Sequence, residues 1–374
     1  MRRLALSALA TAVITTGAQA QIFEAEGMRL RAESLTEGLE HPWAVDFLPD
    51  GAAILTERPG RMRIFADGAL SGPVEGVPQV AAFGQGGLLD VIAARDFEET
   101  GTIFFSYAEP GAGGAGTAIA RATLVREDGS ARLEDVQRLF TLEPKTSRSQ
   151  HFGSRIVHAP DGTLFFTIGE RGDRSRAQDA SDPAGSVLRI NPDGSIPRDN
   201  PFVGREDAAP EIWSIGHRNP QGAAFDSVTD SLWIVEHGAR GGDEVNQPEA
   251  GKNYGWPVIS YGRHYSGGRI GRGTEAPGYE QPKYYWDPSI APSGMAVYQG
   301  SMFPEWAGDF LVGALSFELV SRLDRDGTGE IIGEERLFKG AFGRIREVAA
   351  APDGSVWLLT DEDNGQIIRI SRAE

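Results

Sequence analysis

The chain has 374 residues, with 53 acidic against 36 basic side chains, a formal net charge of −17 and no cysteine. Disulfide scaffolding and thiol chemistry are therefore excluded, and so acidic a chain argues against nucleic acid and anionic membranes as partners. The length exceeds that of a usual single-core domain, so two domains or one large modular sheet protein is expected.

The first twenty residues, MRRLALSALATAVITTGAQA, place Arg2 and Arg3 before an apolar run that ends in Ala18-Gln19-Ala20. This is the pattern of a secretory signal with a small-residue cleavage site. Residues 1–20 are read as a signal peptide cleaved after Ala20, with the periplasm as destination. The apolar segment is short for a membrane span, and no later run reaches about 18 apolar residues. The mature chain is therefore expected to be soluble, without membrane insertion.

Beyond Gln21 one unit recurs. FLPDG (47–51) precedes AAILTER, APDG (159–162) precedes TLFFTIGER, and APDG (351–354) precedes SVWLLTDED. Residues 226–230 form a degenerate copy before SLWIVEHG. Proline before Asp-Gly presets a turn, and glycine supplies the positive φ that the turn needs. Each following β-prone run ends in a charged tip: Glu57-Arg58, Glu170-Arg171, Glu236-His237 and Asp361-Glu362. Equal positions in each copy therefore share one rim.

Such a module repeated around a ring is a β-propeller. Residues 21–374 allow about 59 residues per blade for six blades and about 51 for seven. A pair of β-sandwiches is the alternative, but four like tips favour a ring. The expected fold is all-β, a six-bladed β-propeller formed by residues 21–374 as a single catalytic domain. Its closing blade should join the C-terminal strands to one near Gln21, and GAGGAG (111–116) should be a hairpin loop.

Candidate chemistry follows the same order. Gln85-Gly86-Gly87 forms a glycine turn ahead of a strand. His151, in RSQHFGSRIVHAPDG, stands at a strand entry beside Gly153, where its near-neutral pKa suits a general base. His41 and His158 read as structural. In residues 211–257, the strand-like run Ile212–Ile215 is followed by His217, Arg218 and Asn219. The run 232–235 is followed by Glu236, His237, Gly238, Asp243, Glu244 and Asn246. Arg218 offers a planar fork of donors for carboxylate or quinone-like oxygens, and Asp243 and Glu244 are hard oxygen donors suited to calcium. The plainer reading is a structural pairing of Arg218 and Glu244. Arg344 and Arg346, in GRIREV, share one strand face. Either an anionic ligand or acids such as Glu347 must relieve their repulsion. No zinc-ligand spacing, G-x-S-x-G elbow or G-x-G-x-x-G opening a helix is present.

GHRNPQG (216–222), DEVN (243–246) and NYGWP (253–257), in this order, resemble the soluble PQQ-dependent sugar dehydrogenases, the quinoprotein glucose and aldose sugar dehydrogenases. The likeness runs from GLEHPWAVDFLPDG (38–51) to APDGSVWLLTDED and is nearer to the aldose branch. It implies a six-bladed propeller that holds PQQ through calcium at one face and oxidises the anomeric hydroxyl of aldoses to lactones for an external electron acceptor. By resemblance, Gln85, Arg218, Asn219, Tyr265, the triplet Ala314-Leu315-Ser316, Arg344 and Arg346 contact the cofactor, and His151 abstracts the proton. Glu244 and Tyr254 match calcium positions of the aldose branch. Gly238 and Ala239 match carbonyl ligands of the glucose branch. Three departures stand out: Ser316 where the family has lysine, Gln150 where the glucose enzymes have aspartate, and His237 for a glutamine. A calcium-dependent propeller lactonase or esterase and a non-catalytic sugar-binding propeller are the competing readings.

Overall fold

A computed structural model describes residues 20–127 and 129–373. Except for Ala20, the expected signal peptide lies outside the described residues. Six antiparallel sheets form the blades of a β-propeller. Their innermost strands are Pro42–Phe47, Leu88–Ala93, Ile156–His158, Pro220–Asp226, Pro292–Val297 and Ile345–Ala350, each beside the next and the last beside the first. Six blades, not seven and not paired sandwiches, account for the strands. Among the described residues no helix is long and apolar enough to cross a membrane.

The repeated turn builds each blade. In blade one, Pro42 pairs with Glu57 and Phe47 with Ala53, so the inner strand descends from one rim and the second strand climbs back to it. Gly51, Gly162 and Gly354 hold φ of 87°, 85° and 84°, a left-handed conformation that a side chain would strain. Residues 111–116 form the tight hairpin between Thr102–Gly111 and Gly114–Glu127. The sixth blade takes Val356–Thr360 and Gly365–Arg372 from one end of the chain and Met28–Leu39 from the other, paired from Leu30↔Arg372 to Leu39↔Gly365. Blades pack through apolar faces such as Trp43, Leu89 and Phe105 between the first two. Burying a side chain like Leu89 or Phe105 contributes about 1.5–3 kcal/mol.

The axis is polar where inner strands begin. Arg155 Nη1 donates to Asp90 Oδ1 at 3.0 Å and also meets Glu347, its Nε donates to the Gln221 carbonyl at 3.1 Å, and it stacks 4.4 Å from the Trp43 ring. All of these groups are buried, so five of the six blades meet through a charged knot.

Candidate active site

Because every inner strand starts at the same rim and every second strand ends there, each blade contributes two short segments to one surface. Gln85, His151 and the pair Arg218-Asn219 precede or open inner strands two, three and four; Arg344 and Arg346 open the sixth. Glu170, the stretch 236–239, Ala314-Leu315-Ser316 and Asp361 end or follow the second strands of blades three to six.

Hydrogen bonds tie most of these residues together. His151 N donates to Gln85 Oε1 at 2.7 Å, Gly153 N to Asn219 Oδ1 at 3.2 Å, and Glu170 N to the Arg218 carbonyl at 3.0 Å. Gln221 Nε2 donates to the Gly153 carbonyl (3.2 Å) and Asn219 Oδ1 (3.3 Å), while its Oε1 accepts from Arg346 Nη1 at 3.1 Å. Arg344 Nη1 reaches the Leu315 carbonyl at 3.3 Å.

His151 is buried and held at φ 58°, a conformation worth about 1–3 kcal/mol of strain in a non-glycine residue. Its carbonyl lies so near Gly169 that a Cβ there would stand 2.3 Å away. Nδ1 lies 3.0 Å from Glu170 Oε2, at an angle too poor for a full hydrogen bond, and Nε2 has no hydrogen bond among the described residues. Burial lowers the imidazole pKa below its usual value; Arg218 and Arg171 add to this and Glu170 opposes it. The ring is thus a neutral base at neutral pH. Below it, Arg171 stacks 3.4 Å from the Phe152 ring and holds the carbonyls of Gln150 and Arg148.

Arg218 is fixed by its neighbours yet keeps donors free. Its backbone N donates to Glu236 Oε2 at 2.7 Å, Nη1 donates to the His237 carbonyl at 3.2 Å, and the guanidinium lies 5.3 Å from the Trp256 ring. The buried Nε of Arg218, Nδ2 of Asn219 and Nε of Arg346 all lack partners. Buried donors left without acceptors in one cleft are suited to an anionic, oxygen-rich ligand. The plainer pairing expected of Arg218 and Glu244 is not found: neither forms an ion pair among the described residues. Tyr265 is 71% exposed but acts electrostatically on Arg218, so it stands at the mouth.

The arginine pair differs from one of its two expectations. Glu347 turns to the axis and binds Arg155 instead. The relieving acid is Asp361, which meets Arg346 Nη2 at 2.7 Å and Arg344 Nη2 at 3.4 Å. Burial would raise its carboxyl, but Arg346, His41 and Arg344 together hold it well below the carboxylate range. Ala314 and Leu315 are buried and Ser316 is half-buried, so only the end of that triplet faces solvent. Lys339 Nζ lies 5.6 Å from the Phe317 ring, near the missing lysine's place.

The candidate metal residues are separated by chemistry. Asp243 is fully engaged: Oδ1 accepts from Gly238 N at 2.8 Å, and Oδ2 accepts from Ser289 Oγ (2.7 Å) and Ala291 N (2.8 Å). Glu244 shares Asn246 Nδ2 with Glu236, at 3.1 and 3.0 Å. Burial first, and the charge of Glu236 second, push the Glu244 carboxyl up to about 8. A small cavity of about 10 Å³ opens among Glu236, Gly238, Glu244, Tyr254 and Arg218, room for one ion or water. The Tyr254 phenol points away, donating to the Gln247 carbonyl and accepting from Glu249 N at 3.0 Å, so only its backbone carbonyl remains for a metal. Among the described residues no three His, Cys, Asp or Glu side chains converge as a ligand set. A calcium ion here would rest on Glu244 and carbonyls.

Two features escaped the sequence reading. His217, fully buried, links Ser214 Oγ (2.9 Å) to Glu236 Oε1 (2.8 Å) and stacks on Tyr254 at 4.8 Å. This Ser-His-Glu row has the order of a hydrolytic triad, but all three members are closed to solvent, so it orients Glu236 under Arg218. Gln221 is the other, although it lies in the GHRNPQG motif. His237, which stands where the glucose enzymes have glutamine, donates from Nε2 to the Pro292 carbonyl at 2.8 Å and so turns from the cleft. Burial and Arg218 push its pKa down to about 3.

Residues 39–369 match the Glucose / Sorbosone dehydrogenase family. The chain is 43% identical over 347 residues to the aldose sugar dehydrogenase YliI of Escherichia coli (strain K12), covering 91% of this chain and 93% of that one. The crystal structure of the soluble aldose sugar dehydrogenase from Escherichia coli in the apo-form superposes with a TM-score of 0.88 at 42% identity, over 92% of this chain and all (100%) of that one. The PQQ-bound aldose sugar dehydrogenase from Streptomyces coelicolor gives a TM-score of 0.76 at 26% identity, over 95% and 99% of the two chains.

Proposed function

The chain belongs to the Glucose / Sorbosone dehydrogenase family, and from that premise we propose that it is a periplasmic, PQQ- and calcium-dependent oxidoreductase that converts the anomeric hydroxyl of aldoses to lactones. The observation that carries this reading is the set of buried, partnerless donors on Arg218, Asn219 and Arg346 beside the neutral base His151. A planar tricarboxylate quinone fits that set. Arg218 and Asn219 would hold its quinone oxygens, and Arg344, Arg346, Gln85 and the 314–316 tip its remaining edge. Glu244, with carbonyls of Tyr254, Gly238 and Ala239, would hold the calcium.

When bound, PQQ supplies a hydride acceptor, and calcium polarises its reacting carbonyl. The protein's own work is orientation and proton transfer. Nε2 of His151 takes the proton of the anomeric hydroxyl while the C1 hydride leaves, and the ring carbon becomes the lactone carbonyl. The Glu170 carboxylate 3.0 Å from Nδ1 favours the proton on that nitrogen by its charge, which leaves the basic lone pair on Nε2. Trp256 and the His237 carbonyl hold the Arg218 fork, and the Glu236–His217–Ser214 row anchors its backbone, so the charge it stabilises meets a preorganised donor. Tyr265 at the mouth is placed to meet the sugar or cofactor edge.

Reconstitution tests this directly. Purified chain given PQQ and Ca²⁺ together should reduce a redox dye with several aldoses, and should not do so with either omitted. Aldose oxidation with neither present, or none after full reconstitution, rejects the reading.

A further inference from the structure

The chain is strongly acidic, and many of its surface arginines are met by carboxylates, such as Arg132 by Glu127 and Glu134, Arg205 by Asp207 and Arg372 by Glu305. Exposed arginines without an ion pair, among the described residues, include Arg95, Arg198 and Arg272, but five others gather at the candidate mouth. Arg148, Arg174, Arg240, Arg263 and Arg269 are all exposed, and none has an ion-pair partner among the described residues. They surround the site residues. Arg148 precedes the loop that carries Gln150 and His151, and its Cδ packs against Gly172. Arg174 lies 5.6 Å from the same Trp256 ring that Arg218 covers, and its Nη1 meets His264 Nδ1 at 3.1 Å. Arg240, directly after Gly238-Ala239, is bonded to Arg263 through both backbone amides (3.0 and 3.2 Å), and Arg263 bridges to Arg269. The nearby Asp173 is turned into its own cap on Ser175.

We propose that this arginine rim is the docking face for an acidic redox protein that takes electrons from the site. The inference rests on the reading of the site as a sugar dehydrogenase. Oxidising one aldose to its lactone releases two electrons and two protons; two one-electron haem proteins take the electrons, and the protons pass to solvent. The extent of the rim argues for a macromolecular partner over an anionic sugar. One carboxylate or phosphate engages one or two guanidinium groups, whereas these five are spread over four loops at blades three and four. Exposed charges of one sign around a cleft steer an oppositely charged partner and raise its association rate by about 10–10³-fold, an effect that salt removes.

The test uses the PQQ- and calcium-loaded enzyme oxidising glucose, with three acceptors: an acidic c-type cytochrome, a basic cytochrome c and an uncharged benzoquinone. Wild type is compared with the combined variant Arg148→Gln, Arg174→Gln, Arg263→Gln, Arg269→Gln. The acidic cytochrome should be reduced faster than the basic one at low salt, and its kcat/KM should fall steeply as salt is added. The variant should lose about tenfold or more of that kcat/KM and most of its salt dependence. Its benzoquinone rate, PQQ affinity and melting temperature should stay near wild type. Equal loss with benzoquinone, a changed PQQ affinity, or a loss seen only when glucuronate replaces glucose would each overturn the docking role. So would equal rates with the two cytochromes. If no acceptor is reduced, the sugar dehydrogenase reading itself has failed. Docking is then read by calorimetric titration of the acidic cytochrome onto the protein at low salt, and absence of binding there overturns it.

Discussion

Gln221 Oε1 accepts a hydrogen bond from Arg346 Nη1 at 3.1 Å, and so joins the fourth blade to the sixth at the head of the axis. The same amide donates to Asn219 Oδ1 and the Gly153 carbonyl, so one side chain sets the position of three candidate ligand-binding segments. Gln221→Leu keeps much of the shape and removes every bond. It should weaken PQQ binding by ~1–3 kcal/mol, the scale of hydrogen bonds to charged groups. A PQQ titration followed by activity and by fluorescence checks this; wild-type affinity with wild-type kcat would remove Gln221 from any positioning role.

His151→Ala should bind PQQ and calcium nearly as wild type does, while kcat falls by about 10²–10⁴. Burial, reinforced by Arg218 and Arg171, lowers the imidazole pKa below 6.5. A lowered pKa keeps the base neutral into mildly acid solution, so the acidic limb of kcat/KM should lie below pH 6.5 and vanish in the variant. Glu170→Gln removes the one carboxylate that raises this pKa and should shift the limb further toward acid. An acidic limb that persists in His151→Ala assigns the proton transfer elsewhere.

Glu244 supplies the only carboxylate of the candidate calcium site that is not already saturated by hydrogen bonds. Chelation should abolish dye-linked oxidation, and Ca²⁺ should restore it. Glu244→Gln, with unchanged size, should require about 10–100-fold more Ca²⁺ for half-activation. Equal Ca²⁺ dependence in wild type and variant would place the ion away from Glu244.

At blade five, Ser316 leaves the half-exposed tip without a cation of its own, and Lys339 stands over the neighbouring Phe317. Ser316→Lys should tighten PQQ binding by ~1–3 kcal/mol through a charge-assisted bond. Lys339→Met should weaken it in the wild-type background and have less effect beside Lys at position 316. Additive effects of the two changes would show that they act at separate places.

The axial knot predicts a pH effect on stability. Burial raises the Glu347 carboxyl to about 7 from 4.5; Arg155 pulls it down, and Asp90 pushes it further up. An acid whose folded pKa is raised stabilises the fold most below its unfolded pKa and loses that contribution as pH climbs through the folded value. Wild type should therefore lose stability between about pH 4.5 and 7 through this group. In Glu347→Gln that part of the slope disappears, so its Tm should improve relative to wild type between pH 5 and pH 8. Parallel Tm–pH curves would refute the assignment. Removing the shared cation instead, as in Arg155→Ala, leaves both acids buried alone and should cost about 3–5 kcal/mol.

Much of this was legible in the sequence, and the reason is local. Pro-Asp-Gly turns, strand alternation and charged tips are short-range signals, and the ring follows from repeating them. The rim segments were legible too, because position within a repeat decides which end of a blade a residue occupies. Partners across the ring were not. Alternation shows that Arg344 and Arg346 share a face, but the acid between them, Asp361, comes from the neighbouring strand, and Glu347 was drawn to Arg155 from another blade. The direction of the Tyr254 phenol was equally hidden, since it depends on the loop at residues 247–249. The arginine rim escaped because it lies partly in residues 258–283, where glycine-rich irregular backbone carries no periodic pattern.

The pairing of Met28–Leu39 with Gly365–Arg372 bears on when the protein becomes competent. Arg344 and Arg346 belong to the one blade that is stitched from both extremes of the chain. Five blades can form as the polypeptide emerges from the ribosome or a translocon, but the sixth waits for its final strand. A growing chain therefore carries His151 and Arg218 long before it has the opposite wall of the cleft. A product stopped short of residue 365 would still carry Arg344, Arg346 and Asp361, but in a blade left unlatched from Met28–Leu39, so the ring would stay open beside that wall.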